Sequence, residues 1–172
     1  MIALTPWFER KFSFDFPPGH FPLFLERLRG AAPRLDEVTR GLAPGVLTRR
    51  FDDKWSIQEQ VGHLLDLDQL HVARLDDYGA GRPELRPADL SNAWTTTANH
   101  NAAVLGELLA RFRQGRAAFV RQLETADEAL IGRSALHPRL QQPMRLVDMV
   151  YFVAEHDDHH IAKIRELITR QT

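Results

Sequence analysis

The chain has 172 residues, 44% hydrophobic and 26% charged, which is ordinary for a soluble globular protein and enough for one sizeable core. Its 22 Lys and Arg against 23 Asp and Glu leave a formal charge of −1, so no global basic field draws it to nucleic acid or to an anionic membrane. It has no cysteine, which excludes disulfides, thiolate ligands and a cysteine nucleophile. No basic stretch followed by an apolar run opens the chain, and no run of about 18 apolar residues occurs. The expectation is a cytoplasmic protein of one domain, 1–172, with no membrane and no nucleic-acid partner.

Residues 1–19 read as an irregular arm ending at Pro17-Pro18-Gly19. Its aromatics, Trp7, Phe8, Phe12, Phe14 and Phe16, are expected to pack onto a helical body over 20–170. A first helix begins near His20, with Pro22 tolerated in its first turn. Phe21, Phe24, Leu25, Leu28 and Ala32 follow the 3/4 spacing of one helical face. Pro33 predicts a kink or an interruption. Leu35, Val38 and Leu42 continue the stripe, and Gly41 with Pro44-Gly45 ends it.

A second helix has the clearest start. Ser56 and Glu59 form an S-x-x-E capping box, in which each side chain satisfies the other's free backbone amide. The helix runs to about Tyr78, before Gly79-Ala80-Gly81-Arg82-Pro83. Residues 79–93 read as a long loop. A third helix is predicted from roughly Thr95 to Leu123, with Ala102, Leu105, Leu108, Leu109, Phe112, Phe119 and Leu123 on its buried side. A second long loop covers about 126–143, and a fourth helix about Arg145 to Ile168. No alternating strand pattern, repeat or low-complexity tract is visible. Four long amphipathic segments predict an all-α four-helix bundle. The long second-to-third connection permits a crossover.

The fourth helix carries Glu155-His156-Asp157-Asp158-His159-His160-Ile161. Residues four apart share a helical face, with Cβ atoms roughly 5–6 Å apart, so His156 and His160 can aim at one point. His159 is rotated from His160 by about 100°. His63, on the second helix, is a third imidazole that a facing helix can supply. Three neutral imidazoles suit zinc, nickel or iron(II) and leave positions open. Without the H-E-x-x-H glutamate, a zincin-type protease is disfavoured. The spacing of 156 and 160 fits a polar surface patch equally well. Asp157 and Asp158 read as a solvated face or as partners of a ligand's second N–H. Glu59 is a cap that can also be read as a general base. His20, His71, His100 and His137 read as structural or exposed, with His137 on a loop able to fold over the site. His71 lies about 12 Å along the helix axis from His63, too far to share an ion with it. Arg49, Arg50, Arg111, Arg113 and Arg116 read as solvated surface.

Three segments together resemble the DinB/YfiT-like superfamily of metal-dependent enzymes. They are Trp55-Ser56-Ile57-x-Glu59-x-x-x-His63-Leu64, Ala135-Leu136-His137-Pro138-Arg139, and Glu155-His156-x-x-His159-His160-Ile161-x-Lys163-Ile164. The resemblance covers about residues 20–168. It implies a four-helix bundle with a crossover connection and a divalent metal, nickel or zinc, on His63, His156 and His160. It also implies a homodimer. Relatives include bacillithiol S-transferases, mycothiol-dependent maleylpyruvate isomerase and metal-dependent hydrolases. The catalytic residues stay open, with Glu59 and His137 as candidates. The implied function is an enzyme whose metal activates a low-molecular-weight thiol (S-transferase-like) or a water (hydrolase-like) on a small-molecule substrate. The alternative is a non-catalytic, stress-associated metal-binding or structural dimeric bundle. The N-terminal arm and the loop near Trp94, Asn99 and Asn101 are expected to shape the pocket.

Overall fold

The computed structural model describes residues 2–171. After an arm with single 3₁₀ turns at Trp7–Glu9 and Pro18–His20 come α1 (Phe21–Thr39), α2 (Pro44–Leu47), α3 (Ile57–Gly79) and α4 (Ala93–Thr97). A 3₁₀ turn at His100–Ala102 precedes α5 (Leu105–Leu123). Then follow α6 (Glu128–Ile131), β1 (Ser134–His137), β2 (Gln142–Arg145) and α7 (Leu146–Thr169). Among the described residues no helix is long and apolar enough to cross a membrane.

Helices α1, α3, α5 and α7 form the bundle, with α1 and α3 each packed on both α5 and α7. Side-chain pairs give their directions. Arg27 meets Glu155 and Arg34 meets Asp158, so α1 and α7 run parallel. Gln58 reaches the Ala103 carbonyl while Arg116 pairs with Asp68, so α3 and α5 also run parallel. Gln60 meets His160 and Tyr78 meets Met144, so α3 and α7 are antiparallel. Parallel neighbours cannot be joined by a short turn. The connection over 80–104 therefore travels back along the bundle, which is the crossover that its length allowed.

The interior has two apolar clusters. Phe24, Leu28, Tyr78, Phe119, Met144 and Val150 belong to one. Leu35, Ile57, Val61, Phe112, Ile164 and Leu167 belong to the other. Trp7, Phe12, Phe14 and Phe16 of the arm pack on the first cluster, while Phe8 stays exposed.

Four expectations need correction. Pro33 does not interrupt α1. It lies on the exposed side, where water can take the carbonyl that its missing N–H leaves free, while Ala31, Ala32 and Leu35 stay packed around it. The third long helix begins at Leu105 rather than Thr95, and Ala102 is exposed. Asn92 and Asn99 take left-handed backbone angles, and the carbonyls of His100 and Ala103 accept from Gln58 Nε2 at 2.6 and 2.7 Å. Tertiary partners thus outcompete helix propensity there. The loop over 126–143 contains a short antiparallel hairpin, pairing Ser134 with Arg145 and His137 with Gln142. Strands this short show no period, and the outer edge of β1 is covered by Leu85 and Pro83. Finally, Arg116 and Asp157 are buried rather than solvated. Arg116 Nη1 and Nη2 donate to Asp157 at 2.5 and 3.1 Å, and Asp68 completes the group.

Candidate metal centre

The capping box sets where α3 starts, and therefore which face carries His63. Glu59 N–H donates to Ser56 Oγ at 3.2 Å and Ser56 N–H to Glu59 Oε2 at 2.9 Å. Arg50 holds the same carboxylate through Nε at 2.9 Å. Burial pushes Glu59 up, but Arg50 and Ser56 outweigh it and hold the carboxyl below its ordinary range. Glu59 does not line the cavity described below.

From α3 and α7, His63, His156 and His160 converge, each offering a ring nitrogen within 4.8 Å of the others. Ring centroids are 4.4 Å apart for His156 and His160, 4.8 Å for His63 and His160, and 5.3 Å for His63 and His156. All three are buried. Burial, reinforced by the neighbouring rings, pushes His156 and His160 well below the ordinary histidine value. Burial likewise pulls His63 down to about 4. At neutral pH the three are uncharged and each has one lone pair to give.

Their partners decide where two of those lone pairs point. Gln60 Oε1 lies 2.6 Å from His160 Nδ1 and can only accept, so Nδ1 carries the proton and Nε2 the lone pair. Thr95 Oγ1 donates to Asp66 Oδ2 at 2.8 Å, so it must accept from His63 Nδ1 at 3.1 Å. His63 Nε2 is then also a lone pair. His156 Nε2 lies 3.0 Å from His160 Nε2, and its Nδ1 is buried without a partner. Three such nitrogens form a donor set that fits a first-row divalent ion. His159 is only partly buried and lies outside the cluster, with its ring near Trp7 at 5.6 Å.

The polar residues behind the cluster escaped the sequence reading. Asp66 takes His100 Nε2 at 2.8 Å as well as Thr95, and the His100 ring fills the space above Gly62. Only the buried polar character of Gln60 on an apolar face offered a signal. Asp157 and Asp158 do not orient the imidazoles. Asp157 pairs with Arg116, and Asp158 with Arg27 and Arg34.

A cavity of about 340 Å³ opens beside the cluster, lined by all three imidazoles together with Trp7, Trp55, Phe152 and Arg74. The Trp55 ring lies 4.6 Å from His63, and Trp7 meets His156 edge-on at 4.8 Å. The arm thus forms part of the wall. Asn101 instead accepts the Ser56 hydroxyl at 2.7 Å. His137, at the end of β1, is buried and lines the cavity. Its Nδ1 lies 3.2 Å from Leu140 N and its Nε2 lies 3.3 Å from Arg74 Nη1, so a donor faces each ring nitrogen. Burial and then Arg74 and Arg139 pull His137 down to about 3.

The architecture has known counterparts. YfiT from Bacillus subtilis, described as "a probable metal-dependent hydrolase with an unusual four-helix bundle topology", superposes with a TM-score of 0.83 at 22% identity, covering 95% of this chain and 94% of that one. The mycothiol-dependent maleylpyruvate isomerase superposes with a TM-score of 0.66 at 12% identity, covering 91% of this chain and 68% of that one. At these identities the likeness is one of fold. No curated protein matches by sequence. The sequence model of the DinB superfamily matches residues 27–164, most of the chain and both segments that carry the three histidines. The chain therefore belongs to the DinB superfamily.

Proposed function

We propose that this chain is a metal-dependent enzyme in which His63, His156 and His160 hold one divalent transition ion and the adjoining cavity takes a small molecule. The observation that carries this reading is the convergence of three uncharged imidazoles, two with their lone pairs fixed by partners, at the wall of a cavity. Nickel or zinc suits the donor set best, and iron(II) is compatible with it. An ion held there would lower the pKa of a bound thiol or water and so supply a nucleophile at neutral pH. The chain's own residues orient and enclose. Thr95 and Gln60 fix the ring planes of His63 and His160, and Trp7, Trp55 and Phe152 exclude water.

Thiol transfer is the better-supported chemistry. Hydrolysis also calls for a base that passes the proton of the attacking water to the leaving group, and the cavity offers little. Its one lining carboxylate, Asp89, is turned to Ser91 and Ala93 amides at 2.9 Å each. His137 has a donor facing each ring nitrogen, and Glu59 is capped and paired. A thiol is more acidic than water, so on such an ion it would ionise without such a base. The mycothiol-dependent isomerase of similar fold supports this choice, whereas the name given to YfiT favours the hydrolytic one.

Elemental analysis of protein purified without a metal-affinity step tests the site. A stoichiometry near one should collapse in His63→Ala, His156→Ala and His160→Ala, and retention in any of them breaks the triad. The loaded protein should accelerate conjugation of a small thiol to a chromogenic electrophile, and His160→Ala should lose this activity. Ester or amide turnover without thiol moves the reading to hydrolysis. Metal that changes only the melting temperature moves it to a structural bundle.

A further inference from the structure

The cavity beside the three imidazoles also holds two guanidinium groups, Arg74 and Arg139. Arg74 is only 3% exposed. Its Nε donates to the Arg86 carbonyl at 3.1 Å, and its Nη1 lies 3.3 Å from His137. The carboxylate one turn along the helix, Asp77, is taken by Arg82 and Arg86. Arg139 lies over aromatic rings, 5.3 Å from the Phe8 centroid, 5.6 Å from Phe152 and 5.8 Å from Trp7. Its Nη2 is buried without a hydrogen-bond partner among the described residues. Among the described residues the one carboxylate on the cavity wall, Asp89, has both oxygens turned to its own loop.

Burying a cation without a counter-ion is costly, and a second cation nearby adds to the cost. Burial, with Arg139 and Arg86 contributing, pulls Arg74 down to about 10, so it stays cationic at neutral pH. The folded chain therefore carries two positive charges on a largely apolar cavity wall, and Asp89, the acid on that wall, is bonded into its own loop rather than to either of them. An unmet charge placed in a cavity marks a place where a ligand supplies the counter-ion.

We propose that Arg74 and Arg139 form the subsite for the carboxylate of an organic acid whose apolar body lies among Trp7, Trp55 and Phe152. The planar guanidinium fork matches a carboxylate. Arg74 Nε is already given to the Arg86 carbonyl, so its Nη groups are what remain for a ligand. The proposal rests on reading this cavity as the substrate pocket, but the subsite itself does not need the metal.

Calorimetric titration of metal-free wild-type protein with phenylacetate and hexanoate, against their neutral amides and phenyl phosphate, tests it. The better acid should bind about tenfold or more tightly than its amide, because the charge-assisted bonds are lost with the charge. That margin should vanish in Arg139→Gln and in Arg74→Gln and survive in part in Arg139→Lys. The wild-type acid-against-amide comparison stands even where a variant misfolds, and circular dichroism identifies such a variant. No acid binding more tightly than its amide overturns the proposal. So does tighter binding of phenyl phosphate, or an acid preference that persists in folded glutamine variants. A metal stoichiometry near one without acid preference sinks this inference alone. An arginine-dependent acid preference in a chain that holds no metal sinks the metal reading alone.

Discussion

Replacing Gly62 with alanine sets two local effects against each other. In a helix interior alanine is favoured over glycine by about 0.8–1.0 kcal/mol, so propensity alone predicts stabilisation of α3. A Cβ at this position, however, would lie 2.2 Å from His100 Cγ and 2.3 Å from Cδ2. The ring cannot swing away freely. Its Nε2 is bonded to Asp66 at 2.8 Å, and its carbonyl holds Gln58 Nε2 at 2.6 Å. Overpacking of this kind costs about 1–3 kcal/mol, and loss of the His100–Asp66 bond about 1 kcal/mol more. The clash wins, leaving a net loss of about 1–3 kcal/mol. For a chain of this length that lowers the melting temperature by about 2–10 °C. Thermal denaturation followed by circular dichroism reads it. The double variant Gly62→Ala/His100→Ala should recover part of the loss relative to the sum of the single variants, since His100→Ala opens the space. A Gly62→Ala protein that melts at or above wild type would refute the reasoning, because His100 would then not be held against α3.

Thr95→Val keeps the shape but removes the acceptor for His63 Nδ1–H, so metal affinity should fall by about 10–100-fold while the fold persists; unchanged affinity in a competition titration would mean that Thr95 does not orient the ring. Metal-free protein should lose stability on acidification. His63 has a folded value of about 4 against an ordinary 6.5, so its contribution is complete above 6.5 and drains as pH falls toward 4, about 3 kcal/mol in all. His156, His160 and His71 act in the same direction, while Asp68, pushed up to about 7 by burial, and Asp157 act oppositely and only partly offset them. Melting curves between about pH 7 and pH 5 should show a falling midpoint, and a flat or rising one contradicts the burial of neutral imidazoles. Arg116→Met leaves Asp68 and Asp157 buried without their cation and should cost about 3–5 kcal/mol in urea denaturation, less at low pH where the carboxyls protonate; a loss below about 1 kcal/mol would show that the group is hydrated.

The long helices were legible because each writes an apolar stripe of its own. Leu28, Leu35 and Val38 on α1, and Val150, Ile161 and Ile164 on α7, repeat at helical spacing regardless of what they meet. The start of α3 was legible for a different reason. A capping box is satisfied within four residues, so Ser56 and Glu59 carry the whole signal locally. The break before α5 was not legible, because Thr95 in the short α4 and His100 in a 3₁₀ turn are held by Asp66, 29 and 34 residues away. Arg116 and Asp157 looked like surface for the same reason. A charge in a sequence window reads as solvated until its opposite is found on another helix.

By itself, then, the sequence determined that four amphipathic helices form, that His156 and His160 share a face, and that His63 sits two turns past a capped start. These follow from hydrogen bonds and spacings that close within one or two helical turns. Only the tertiary structure decided which helices lie parallel, that His63 crosses to His156 and His160, and that Gln60 and Thr95 hold two of those rings with their lone pairs inward. It alone also brought Arg74 and Arg139 to one cavity. Each of these depends on groups distant in the chain, and their partners exist only once the two apolar clusters have packed and drawn the polar residues between them out of water.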